Sequence, residues 1–409
     1  MNGKDDQLGR TAEQSSSPGD ASRDRQDSSP PETPADAPGE LTSDQLAEAK
    51  EYGRISLTCD LIDRGVDLVL LGIVAFVLAR PFDAWLAEWT GWRSGTSSLR
   101  LAALFLVVYL LHLVISFPLS YYSGHVVEHR FGLSQQPLVK WLRRYALRHG
   151  LGIAFGLVMY VGLYWIIWTA GLWWWVIAAV AFFAVSVLLG QLEPVLIIPL
   201  FYKITPLDDA DLRERMHALA NGTGLTIEGV YRMGMSEETS KANAMLAGLG
   251  RTRRVLMGDT LLDNFSRDEI EVIFAHEIGH HVHRHIPKML AAGAVYSVIG
   301  LWLCDRLLVG YAGVSDYSQT PTWTLPLLMF ALTVFGTLLE PLQNSISRRF
   351  ERQCDRYALA RTQKQDAYRT AFTKLARQNK ADPDPHPLEV FLFHSHPPIR
   401  ERLAAADTG

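Results

Sequence analysis

Cysteine is scarce. The 409 residues hold three, Cys59, Cys304 and Cys354, odd in number and far apart. That pattern excludes a disulfide framework and a cysteine-type zinc site. A basic excess is missing too: the formal net charge is −4 and the pI near 6.4, so no global positive field points to nucleic acid. Apolar pattern is missing from residues 1–50, where eleven acids face five bases among Ser, Pro and Gly. That stretch carries −6 and leaves the remainder near +2. It cannot bury enough apolar surface to offset its ordering entropy, so residues 1–45 are expected to form a disordered acidic tail. Without an apolar h-region, the tail is not expected to be a cleavable signal peptide.

Charge, in turn, is absent from two long stretches. Leu101 to Ser123 gives 23 residues without Asp, Glu, Lys or Arg, and Gly150 to Leu192 gives 43. A hydrocarbon core of ~30 Å needs ~20 helical residues, so the first stretch provides one span and the second provides two. A turn is expected near Thr169–Gly171, next to the interfacial aromatics of Leu172–Trp175. Asp67–Phe82, Met289–Cys304 and Leu325–Leu339 are shorter candidates that bring the expected count to six. The loop between the second and third spans carries five Lys/Arg, whereas Val309–Trp323 carries none. The positive-inside rule then places both termini, residues 201–287 and everything after about 342 on the cytoplasmic side. His112 stands inside a span, where an ionisable group usually faces protein or water.

The chemistry begins at His276, Glu277 and His280, an H-E-x-x-H sequence. On a helix, i and i+4 share a face, so both imidazoles can reach one ion, with Glu277 beside them as a general base. Ser266 and Glu269 form a capping box, and Phe265 and Ile270 are placed as its hydrophobic staple. The helix is expected to run on until Pro287. A catalytic zinc usually takes three protein ligands. A third His ten residues after His276 would fall on Ile286, which excludes the metzincin pattern. His281, His283 and His285 lie off the i+4 row and are read as solvated or interfacial. Further on, Asn344 to Ala360 reads as a helix with Glu351 and Asp355 four apart on one face. Spacing alone leaves two readings of that pair: a zinc ligand with its supporting carboxylate, or a charged solvated face.

Taken with Asn243–Leu262, His394–Leu403, His129–Gln136 and Ile197–Leu207, these segments resemble the type I CAAX prenyl endopeptidases and their HtpX-like relatives over roughly residues 45–405. The loop His129–Gln136 only approximates the usual wording. The resemblance implies one Zn²⁺ per chain on His276, His280 and Glu351, with Glu277 as base and Asp355 supporting the ligands. It implies His396 and Arg402 near the developing oxyanion, and Asn243, Ala244 and Met245 as an edge strand that pairs with substrate. It also implies helices around a large intramembrane chamber.

The expected architecture is mainly α: a multi-span helical bundle with a cytoplasm-facing, zincin-like α+β metalloprotease portion. Residues 46–205 would form an N-terminal membrane portion of about four spans. Residues 206–409 would form the peptidase portion, with two more. The expected activity is zinc-dependent hydrolysis of a peptide or protein substrate, in one reading prenylated at its C terminus. A general quality-control protease of the HtpX-like kind is one alternative, and a non-catalytic zinc-binding membrane scaffold is another. A site-2-type intramembrane protease is disfavoured, because no Leu-Asp-Gly motif follows in a later span.

Overall fold

The computed structural model describes residues 41–91, 96–225, 229–248 and 253–407. The expected acidic tail lies outside them except at its end. Helix α1 (Ser43–Ile73) starts inside the stretch read as tail, behind a capping box in which Thr42 and Gln45 bond each other's backbone. It continues through a π-turn (Val74–Leu78) into α2 (Ala79–Thr90). This rod contains the expected span Asp67–Phe82 and exposes Val69, Ile73, Phe76 and Val77.

Among the described residues, four helical stretches are long and apolar enough to cross a membrane: Ser98–Arg130, Leu138–Phe201, His285–Gly310 and Thr322–Thr362. The first comprises α3 (Ser98–Tyr121), a π-turn and α4 (Glu128–Arg130). The second has 64 residues, about three times what one crossing needs. Gly171 divides it into α5 (Leu138–Ala170) and α6 (Trp174–Leu192), with a 3-10 turn at Gly171–Trp173. The turn therefore starts at the last residue of the expected one. Its φ of 58° and ψ of −135° suit only a residue without Cβ. A π-turn and α7 (Ile198–Phe201) close this half.

The bundle core joins Leu104, Phe105, Tyr164 and Trp174 to Leu301, Leu308 and Leu328. Several of its buried polar groups pair with one another, as an apolar medium favours. Asp83 meets Arg100 and accepts from Thr322 Oγ1 at 2.6 Å. Asp305 accepts from Trp174 Nε1 at 2.9 Å and Tyr317 Oη at 2.7 Å. His112 Nδ1 sits 2.8 Å from Asp67 Oδ1, so its partner is another helix.

The remaining chain adds a small sheet and a helical layer. Strands β1 (Ile204–Pro206), β2 (Gly229–Met233), β3 (Ala244–Ala247) and β4 (Arg254–Gly258) lie in the order β1-β2-β4-β3. Only β2 and β4 are parallel, and α8 (Ala210–Ala220) leads from β1 towards β2. After β4 come α9 (Asp259–Leu262), α10 (Arg267–Val282), α11 (His285–Gly310) and α12 (Leu325–Thr362). Helices α13 (Gln365–Asn379), α14 (Pro387–Phe393) and α15 (Ile399–Ala405) finish the described chain. Phe274 and Ile278 of α10 pack with Met216, Val255, Met257 and Ala358, which fixes α10 against both the sheet and α12. Burying a side chain of Phe274's size stabilises by about 1.5–3 kcal/mol. The fold is thus mainly helical, with a membrane bundle and a small sheet, as expected.

Candidate metal centre and catalytic site

Helix α10 begins as the sequence predicts. Ser266 accepts from Glu269 N, and the Glu269 carboxylate accepts from Ser266 N. It ends earlier than predicted, at Val282 rather than at Pro287. Arg284 adopts a left-handed conformation with φ 55°, and α11 starts at the next residue, so Pro287 falls harmlessly in a first turn.

Opposite α10 lies the far end of α12. Its 38 residues span about 57 Å, from the apolar segment at Leu325 to the charged face carrying Glu351 and Asp355. The helices meet at Gly279 and Cys354. A Cβ on Gly279 would lie 2.9 Å from the Cys354 Cα, so only glycine allows this approach. Gly279→Ala is therefore expected to push α12 away, destabilise the fold by about 1–3 kcal/mol and weaken metal binding. A melting temperature and a zinc titration would check this; parent values in both would refute the close-approach argument.

The approach delivers the carboxylate. His276 Nε2 lies 3.2 Å from Glu351 Oε2, and His280 Nε2 lies 3.3 Å from Glu351 Oε1. His276 Nδ1 lies 2.9 Å from Asp355 Oδ1. Arg402 in turn donates to Asp355 through Nη2 at 2.6 Å and Nε at 3.0 Å, while stacking over the Phe372 ring at 3.9 Å. Burial opposes a charge on His276, but the hydrogen bond to Asp355 and the nearby Glu351 carboxylate prevail and raise its pKa to about 9.

Two imidazole Nε2 atoms and one buried carboxylate fit zinc by donor type. Glu351 Oε2 is buried and makes no hydrogen bond of acceptable geometry, although three nitrogens approach within 4 Å, the condition of an acceptor arranged for a cation. Cys354 is the competing donor, since its sulfur lies within 4.8 Å of the two histidine nitrogens. The chemistry favours Glu351: both Nε2 atoms face it, while Cys354 Sγ lies 3.6 Å from Nδ1 of the buried His285.

The site opens into a cavity of about 590 Å³ lined by Glu277, His276, Glu351, Asn243, Ala244 and His396. Glu277 is part-exposed there. His396 is exposed, with Nδ1 2.9 Å from Glu351 Oε2. Among the described residues, strand β3 lies at the edge of the sheet next to β4; it holds Ala244 and Met245 of the expected Asn243–Met245, and Asn243 precedes it. Arg402 also borders the cavity; its guanidinium donates twice to Asp355, and its Nη2 lies 3.9 Å from Glu351 Oε2.

Three features escaped the sequence reading. His285 is fully buried, not solvated, with Nδ1 3.2 Å from His280 Nδ1. The turn at Arg284 causes this, by folding the first residue of α11 back under the last turn of α10. Of the other two, His281 bonds Arg253 and His283 lies beside the His285 ring, and both are part-buried. Second, α1 forms one wall of the cavity through Tyr52, Ser56, Leu57 and Asp60. Third, the loop after α4 braces the approach to β3. Leu133 O accepts from Ser240 N at 2.9 Å, and Ser134 Oγ donates to Glu238 O at 2.7 Å. Glu128 also accepts from Tyr52 Oη at 2.7 Å and from Lys241 Nζ at 3.1 Å. Hydroxyl and Gly residues in "HRFGLSQQ" were the available signal, but sequence does not say which strand they brace.

The chain is similar to known proteins over most of its length. A family model described as Peptidase family M48 matches residues 206–408. A second, the CAAX prenyl protease N-terminal model with five membrane helices, matches residues 25–203. CAAX prenyl protease 1 of Saccharomyces cerevisiae is 30% identical over 320 residues, covering 72% of this chain and 69% of the relative. The uncharacterized metalloprotease YhfN of Bacillus subtilis is 26% identical, covering 92% and 88%. The crystal structure of Saccharomyces mikatae Ste24p superposes with a TM-score of 0.77 at 23% identity, covering 90% of each chain.

Proposed function

The chain belongs to peptidase family M48, among the CAAX prenyl protease 1 proteins, and from that premise we propose that it holds one zinc ion on His276, His280 and Glu351 and uses Glu277 as general base. As a member of that family it is a multi-pass, zinc-dependent membrane endopeptidase. The residue assignment rests on one observation: both Nε2 atoms of the H-E-x-x-H helix face the same buried carboxylate.

Zinc, when bound, supplies a Lewis acid for the scissile carbonyl and acidifies the attacking water. Glu277 takes that water's proton and passes it to the leaving amine. His396, exposed on the cavity wall, donates to the developing oxyanion. Asp355 fixes the His276 tautomer by accepting from Nδ1, and Arg402 holds Asp355 in place. The substrate backbone adds to the edge of β3, beside Asn243, Ala244 and Met245. Loop charge supports a cytoplasmic position for this site, since the 121–150 segment is basic and 309–323 has no Lys or Arg.

The substrate we infer is a peptide ending in Cys-aliphatic-aliphatic-X whose cysteine is prenylated. The yeast relative's name and the cavity bordered by the membrane rod α1 support that class. Purified, zinc-loaded protein is expected to cut a farnesylated peptide of this kind and to leave its unlipidated twin intact. Equal cutting of both would replace the lipid-specific reading with that of a general membrane protease. Cutting of neither, with zinc bound, would leave the scaffold reading.

A further inference from the structure

We propose that His285 is the positioning residue of the second zinc-binding histidine, setting the tautomer and ring orientation of His280 through a relay anchored on Gln353. The inference rests on the reading that His280 is a ligand.

A fully buried imidazole needs a partner for each ring nitrogen. His285 has both. Its Nε2 lies 2.9 Å from Gln353 Oε1, and its Nδ1 lies 3.2 Å from His280 Nδ1. The ring is clamped flat on Phe350, with centroids 4.1 Å apart and planes 9° apart. The proton positions follow from the acceptor at the end. Gln353 Oε1 can only accept, so His285 carries its proton on Nε2. A neutral His285 then offers its Nδ1 lone pair, and His280 must donate to it from Nδ1. That leaves the lone pair of His280 on Nε2, the atom facing Glu351 at 3.3 Å. The relay thus selects the one tautomer that can bind a metal where the carboxylate waits. The Cys354 thiol, 3.6 Å from His285 Nδ1, is a weak secondary donor to the same lone pair.

The arrangement explains why an extra ring is needed. Asp355 lies one helical turn from Glu351 and backs His276 directly. Gln353 lies two residues from Glu351, on another face of α12, and cannot reach His280 itself. His285, delivered by the left-handed turn at Arg284, bridges the gap. One helix therefore supplies a ligand and the supports of both histidines.

Zinc dissociation constants for the parent, His285→Leu, His285→Gln and His280→Ala test this, by competition with a chromophoric chelator. His285→Leu is expected to weaken zinc binding about 10–100-fold. His285→Gln, whose amide oxygen can accept from His280, is expected to recover most of that loss. In cobalt-substituted protein, the visible d–d bands should shift in the Leu variant and return in the Gln variant. A folded His285→Leu protein with the parent's zinc affinity would overturn the proposal. So would a Gln variant as weak as the Leu variant, because the ring would then only fill space. If His285→Leu does not fold, Gln353→Met carries the test: severalfold weaker zinc binding supports the relay, and parent affinity overturns it. Undiminished zinc binding by His280→Ala would instead bring down the ligand assignment itself.

Discussion

Replacing Glu277 by Gln should abolish peptide cleavage and leave the zinc content of the purified protein unchanged. The expected loss in kcat is about 10²–10⁴-fold, the range a positioned general base contributes. The side chain stands beside His276 on the cavity wall and takes no part in the His276–His280–Glu351 cluster. Glutamine keeps its size and removes its basicity, so the metal ligands should not feel the change. Single-turnover cleavage with metal analysis on the same sample reads both halves. Near-parent cleavage would remove Glu277 from the chemistry. Loss of zinc together with activity would place it among the ligands' supports.

Asp355→Ala is expected to have the largest effect on stability. The carboxylate is 2% exposed and accepts two hydrogen bonds from Arg402, which is itself 8% exposed. Removing it leaves the guanidinium between Phe372 and His276 without its hydrogen-bonded carboxylate and with Glu351 Oε2 3.9 Å away, and breaking a buried pair of this kind costs about 3–5 kcal/mol. His276 also loses the acceptor on Nδ1, so zinc binding should weaken about 10–100-fold. The two effects separate in the double variant Asp355→Ala, Arg402→Met. It removes that guanidinium and should regain much of the thermal stability, while zinc binding stays weak. Melting temperature and zinc affinity of the three proteins in detergent would check this. Recovery of both in the double variant would show that Asp355 serves Arg402 alone.

What was legible in the sequence had a period or a spacing. The absence of charge over 23 and 43 residues announced membrane helices, because a bilayer core tolerates little else. The capped helix carrying His276 and His280 was legible from its first turn, since capping is local. Its end was not. The break at Arg284 depends on a left-handed residue that carries a Cβ, and such a conformation is held by packing rather than announced by residue type. The burial of His285 went unseen for the same reason. Glu351 and Asp355 matched a solvated charged face as well as a metal ligand and its support. Residue spacing could not decide, because the decision rests on a close approach at Gly279, which is a tertiary fact. The cavity wall built by α1 has no sequence signal at all: Tyr52 and Asp60 lie more than two hundred residues from α10.

The unbroken course of α12 gears the catalytic centre to the bilayer. From Leu339, at the end of the apolar segment, to Glu351 is twelve residues, so the carboxylate stands at most about 18 Å beyond the lipid-facing part of the same rod. Every residue added between them would turn Glu351 by about 100° and advance it by about 1.5 Å, carrying it off the two imidazoles. The length of this connection is therefore as constrained as the His276–His280–Glu351 cluster itself. The membrane acts as the datum from which the depth of the cutting point is measured.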